Sequence, residues 1–246
     1  MQKLLIAVTA ICFVIGCSTQ NPNPNNNGNN TNNVTYTQGP NVSDFDGNVY
    51  PSVTNCNQTW TAKNLNVSHY RNGDVIPQVT DSAQWANLTT GAWCYYNNDP
   101  AMGVVYGKLY NWYAVNDSRG LAPTGWHVPT DGEWNKLVKC IDNNTDTSTV
   151  GWQNSTAGGA MKETGTTHWI TPNTGATNSS GYYGLPGGIR SENGQYNLIS
   201  NRGYWWTSTE TNATDAWYRP LHNFTTDIPR NYSYKRCGFS LRLVKD

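Results

Sequence analysis

Six cysteines are the residues of this 246-residue chain best suited to covalent chemistry: Cys12, Cys17, Cys56, Cys94, Cys140 and Cys237. Two stand within the first 17 residues. The other four, an even number, suit two disulfides in an oxidising compartment. Four cysteines allow three pairings, and Cys56–Cys94 with Cys140–Cys237 is the expected one. The second bridge would close about 97 residues, worth about 4–5 kcal/mol in the chain-entropy account. A catalytic thiolate would need a basic or helix-N-terminal setting; Cys237 follows Lys235-Arg236. The four histidines (His69, His127, His168 and His222) are scattered. No His pair at i, i+4, no HExxH and no CxxC occurs, so no metal is expected. No G-x-S-x-G elbow and no phosphate-binding loop is present. Gly184-Leu185-Pro186-Gly187-Gly188 reads as a tight turn. Catalytic residues and cofactors are therefore expected to be absent, and the chain is not expected to be an enzyme.

Aromatics carry the remaining functional signal. The chain has 11 Trp and 15 Tyr against 4 Phe. Trp205 and Trp206 are neighbours in an apolar run, and adjacent strand residues point to opposite faces. One should enter the core and the other should not. An outward Trp can stack on a sugar ring or anchor a protein partner. Tyr183 precedes the Gly-rich turn and Arg190 follows it. Trp205, Trp206, Tyr183 and Arg190 form the candidate ligand-binding set.

These residues need elements to hold them. Asp131 and Glu133 open the clearest helix: Thr130-Asp131-Gly132-Glu133 is a capping box. Trp134, Leu137, Val138 and Ile141 then form one stripe at i, i+3, i+4, i+7. Capping and the helix dipole account for both carboxylates, and His127 reads as structural. Asp81 caps a short helix over 82–88. Residues 109–115 read as another, and 158–162 as one helical turn. Asp44-Phe45-Asp46-Gly47 looks like the start of a calcium loop, but the later acidic ligands are missing, so it reads as a hairpin turn. Strands are expected over 60–67, 204–209, 216–221 and 239–244. The last alternates Phe239, Leu241, Leu243 against Ser240, Arg242, the pattern of a half-buried strand.

Composition narrows the function classes. Charged residues are 13%, net charge is zero and the pI is about 6.9. A nucleic-acid binder would show a basic face, so no nucleic-acid partner is expected. The 33 asparagines indicate a polar, uncharged surface.

The first segment reads as an address. Lys3 precedes an apolar run over 4–15, about 18 Å long as a helix and too short for a bilayer core of about 30 Å. It is a signal segment. It ends in Val14-Ile15-Gly16-Cys17, which resembles a bacterial lipobox. The expectations are a signal peptide over 1–16 and acylation of Cys17. A disordered Asn/Pro-rich tether over 17–44 and one domain over 45–246 follow. Several acyl chains would hold the protein on a membrane. The expected location is the bacterial cell envelope, most simply the outer membrane.

Seven phrases in order carry a family resemblance. They are Gln58-Thr59-Trp60-Thr61-Ala62-Lys63-Asn64-Leu65, Tyr106-Gly107-Lys108-Leu109-Tyr110-Asn111-Trp112-Tyr113-Ala114-Val115 and Gly125-Trp126-His127-Val128-Pro129-Thr130-Asp131-Gly132-Glu133-Trp134. Thr177-Asn178-Ser179-Ser180-Gly181, Leu185-Pro186-Gly187-Gly188-Ile189-Arg190, Trp205-Trp206-Thr207-Ser208-Thr209 and Gly238-Phe239-Ser240-Leu241-Arg242 complete them. Together they resemble the Fibrobacter succinogenes major paralogous domain over roughly 45–246. That family looks related to the C-type-lectin-like fold through the sulfatase-modifying-factor branch. The resemblance implies an α+β, loop-rich fold of short antiparallel strands with two or three short helices. It also implies a bridge from an early helix to the last strand, which Cys140 and Cys237 fit. The lectin calcium triplets are absent. The functional expectation is a non-catalytic module binding a glycan or an envelope protein. The alternatives are a thiol-dependent enzyme of the sulfatase-modifying-factor type and a purely structural envelope protein.

Overall fold

A computed structural model describes residues 35–246. The signal segment, Cys17 and most of the expected tether lie outside the described residues. Strands β1 (Thr37–Gln38), β2 (Val42–Ser43), β3 (Val49–Tyr50), β4 (Ser52–Asn55) and β5 (Gln58–Thr61) come first. Helix α1 (Ser82–Ala86), β6 (Trp93–Cys94), α2 (Pro100–Tyr106), β7 (Leu109–Tyr110), α3 (Trp112–Val115) and β8 (Trp126–His127) follow. Then come α4 (Asp131–Ile141), α5 (Ala157–Met161), β9 (Gly187–Arg190), β10 (Tyr196–Ile199) and β11 (Arg202–Glu210). β12 (Asp215–His222), β13 (Asn231–Tyr234) and β14 (Val244–Lys245) close the chain.

Short antiparallel pairings dominate, as expected of an α+β chain, though the described residues hold five α-helices. One sheet runs β1-β4-β5-β14-β8 and another β11-β12-β13. The first sheet brings the earliest described strand together with the last one, and Val244 pairs with both Trp60 and His127. Among the described residues strand pairing begins at Thr37, opposite Thr54, within the segment expected to be tether.

Local chemistry explains the elements. In the β2–β3 hairpin the Asp44 carboxylate accepts from the Asn48 backbone N–H at 3.0 Å and from the Tyr50 hydroxyl. Asp46 accepts from Ser68 N–H and contacts His69. The Asp44 carboxylate is spent on the turn and that of Asp46 on the 68–69 segment, and the calcium-like fragment is a hairpin. The α4 capping box is complete in both directions, and its stripe of Trp134, Leu137, Val138 and Ile141 is buried. Asp81 caps α1 through Gln84 N–H. The helix expected over 109–115 is half strand. Leu109 and Tyr110 pair with β6, and Asn111 caps a shorter helix by accepting from Ala114 N–H.

Three expectations about strands need correction. The strand expected over 60–67 stops at Thr61, the end of β5. Trp205 and Trp206 do point to opposite sides of β11, yet both are fully buried. Trp205 packs with Trp60, Trp134 and Tyr182 in one core, and Trp206 with Tyr110 and Phe239 in another. β11 lies between two cores, so neither of its faces is open at these two positions. Likewise Phe239, Leu241 and Leu243 are buried, but so are Ser240 and Arg242 at 1% exposure each. The run is buried on both sides, and only its end, Val244–Lys245, is a regular strand.

The expected disulfides are also corrected. Cys56 bonds to Cys140, with Cα atoms 6.2 Å apart, within the usual span of a bridge. Cys94 and Cys237 are free and buried. The reason is tertiary. Cys56 sits in the β4–β5 turn with Asn57, both at positive φ (42° and 68°), the signature of a tight two-residue turn. Helix α4 packs against β4 and brings Cys140, in its last turn, to that tip.

Candidate functional site

Of the four candidate binding residues, three are structural. Trp205 Nε1 donates to Asn64 Oδ1 and Trp206 Nε1 to Tyr110 O, each at 2.9 Å. Their polar handles are satisfied inside the cores. Arg190 is 0% exposed. Its guanidinium donates to the carbonyls of Val79, Thr80 and Gly194 and lies over the rings of Trp85 and Tyr196 at 4.4 and 4.9 Å. It ties the β9–β10 ribbon to the 79–80 loop and is sealed from solvent.

Tyr183 is the exception. It is 41% exposed and lines a groove of about 670 Å³. The walls come from the chain near Tyr36, the β2–β3 hairpin, α2 and the loop 178–185. Val104 of α2, 87% exposed, and Val49 of the hairpin supply an apolar rim. Asn48, Asn66 and Asn178 supply neutral polar groups.

A side-chain triad closes one end. Glu163, 4% exposed, follows the C-cap of α5. Its Oε1 accepts from the Tyr183 hydroxyl at 2.9 Å and from His168 Nδ1 at 2.8 Å. Burial and then this hydrogen bond push the Tyr183 hydroxyl pKa up. Nδ1 of His168 is engaged by Glu163, and Nε2, the other ring nitrogen, makes no hydrogen bond among the described residues. His168 lines the groove, and the Tyr106 ring meets it edge-on at 5.8 Å.

The loop that presents Tyr183 is held from below. Tyr183 adopts φ 55°, a left-handed conformation that costs a non-glycine residue about 1–3 kcal/mol. Arg242, 1% exposed, donates to Tyr182 O and Tyr183 O at 3.0 Å each, and also to Thr61 O and Asn64 Oδ1. Burial draws its pKa down to about 10, which leaves it charged at neutral pH. Beside Glu163, Lys162 runs inward. Its ammonium donates to Thr174 O, His222 O and Thr225 O, and burial lowers its pKa to about 8. Two buried cations thus fasten the loops behind the groove.

The chain carries the phrases of one family on the elements that build this groove. The profile of the Fibrobacter succinogenes major domain matches residues 53–245. The chain belongs to that family. No curated protein and no solved structure matches the chain. Within the family match lie Glu163, His168, Tyr183 and Arg242, whereas Tyr36 and Asn48 of the groove lie before it.

Glu163 and His168 carried no sequence signal. A Glu and a His five residues apart form no motif, and Tyr183 is brought in from twenty residues away. Among the described residues no cluster of three or more His, Cys, Asp or Glu could hold a metal ion. The free thiols have little nucleophilic character: burial raises the pKa of Cys94 and pushes that of Cys237 up to about 11.

Proposed function

We propose that this family member is a lipid-anchored protein of the bacterial cell envelope, held at the outer membrane through an acylated Cys17. Its folded part, on this reading a C-type-lectin-like domain, acts as a non-catalytic binding module for a glycan or an envelope-protein segment. The observation that carries the binding role is the groove of about 670 Å³ with its fixed Glu163–His168–Tyr183 triad. A volume of this order is usual for ligand sites. Support for the anchor comes from the first 17 residues, where a basic start and a short apolar run end at a cysteine. A thiol-dependent enzyme has less behind it. Cys140 is bonded to Cys56, and both free thiols are buried.

The test has two parts. Mass spectrometry of the full chain from a bacterial host should find the N-terminal peptide starting at acylated Cys17; an unmodified start ends the anchoring claim. The full chain in detergent should then retain a ligand from a glycan array or an envelope-protein extract. It should lose that ligand when Val104→Arg fills the groove. Retention unchanged by Val104→Arg would take the binding role away from the groove.

A further inference from the structure

We propose that the groove selects a neutral saccharide and that His168 is the residue that reads its hydroxyl groups; this deepens, and rests on, the reading of the groove as a ligand site. Glu163 holds His168 through Nδ1, so Nε2 is the ring nitrogen left for a ligand in the groove, and a hydroxyl group, donor and acceptor at once, can pair with it. The neutral amides of Asn48, Asn66 and Asn178 in the same wall suit hydroxyl partners as well.

Tyr36 and Tyr183 are 37% and 41% exposed and line the same groove. Aromatic rings with one face free and a polar tip suit a partner with an apolar face and polar edges. A sugar ring has that form: C–H groups on its faces and O–H donors around its rim.

Glu163 already serves Tyr183 and His168, and the Arg242 guanidinium already serves four oxygens. Apart from the exposed Lys63, the described lining thus has no free charge to demand an ionic ligand. An extended peptide brings one backbone donor per residue, whereas a saccharide brings several per ring. The geometry favours the saccharide. It is also preorganised, since Arg242 holds the strained Tyr183 in place before any ligand arrives.

The experiment uses the full chain in detergent against an array of neutral hexose and N-acetylhexosamine oligomers, with uncharged oligopeptides alongside. Binding to at least one neutral oligosaccharide is expected, and Val104→Arg should abolish it. His168→Ala should weaken it about tenfold or more, the factor that matches one lost hydrogen bond. His168→Gln places an amide oxygen near the former Nε2 and should keep most of the affinity. Nitrogen-15 NMR should show the His168 Nε2 signal shifting on saccharide binding. Near-native melting of His168→Ala separates lost recognition from lost folding. If folding is lost, the Nε2 shift in the native chain decides alone. Undiminished binding by a folded His168→Ala, or an Nε2 signal unmoved by saccharide, removes His168 as the reader while a groove site stands. Peptide binding without saccharide binding, blocked by Val104→Arg, overturns the ligand class and leaves the binding module intact. Saccharide binding indifferent to Val104→Arg overturns both readings, and silence toward every array saccharide overturns this one.

Discussion

At the scale of single residues, carboxylates in this domain act by orienting something else. Glu163 orients His168. Glu133 caps α4 with Oε2 and meets His127 Nε2 with Oε1 at 2.8 Å. His127 Nδ1 meets Asp246 at 2.6 Å, so one imidazole joins the chain's last residue to the start of α4. Burial opposes its charge, but the hydrogen bonds to Asp246 and Glu133 outweigh burial and raise the His127 pKa above its ordinary 6.5. A raised folded-state pKa adds stability that is complete below pH of about 6.5 and is lost as pH rises through the folded value. The melting temperature of the native chain should therefore exceed that of His127→Gln at pH 5.5, and the gap should narrow as pH rises past 7. A gap that stays constant or widens on the alkaline side refutes the pairing. His127 is partly exposed, so added salt should shrink the effect.

At the scale of elements, short helices and strands depend on their ends. α4 is 11 residues long and would be marginal alone in water. Thr130 accepts from Glu133 N–H and Glu133 returns a bond to Thr130 N–H. Thr130→Ala should destabilise the fold by about 1 kcal/mol, the usual worth of such a cap, read as an earlier urea midpoint with an unchanged slope. This helix and its stripe were legible because a capping box and a 3.6-residue period are local signals. The 109–115 segment was not, because its apolar residues suit either a helix or a buried strand. Pairing with β6 and the Asn111 cap divided it. Residues 239–244 alternate in sequence, but alternation reports two faces and not what covers them. Ser240 and Arg242 are buried because the groove loop and Asn64 lie over that side.

At the scale of the whole molecule, the Cys56–Cys140 bridge ties the β4–β5 turn to α4 across 84 residues. Closing a loop of that length is worth about 4–5 kcal/mol in the chain-entropy account. Replacing both cysteines with serine should cost about 2–5 kcal/mol of stability. Non-reducing peptide mapping should recover Cys56 joined to Cys140, with Cys94 and Cys237 alkylated only after denaturation. A Cys140–Cys237 peptide would contradict this pairing. Sequence alone determined what local rules reach: the capped helix, the hairpin turn, the strand periods, the address-like first segment and the family phrases. Tertiary structure decided which cysteines meet, that both adjacent tryptophans are enclosed, and that Glu163, His168 and Tyr183 share one groove. Those outcomes depend on which surfaces come to lie against each other, and residue spacing along a chain carries no record of a neighbour that arrives from far away.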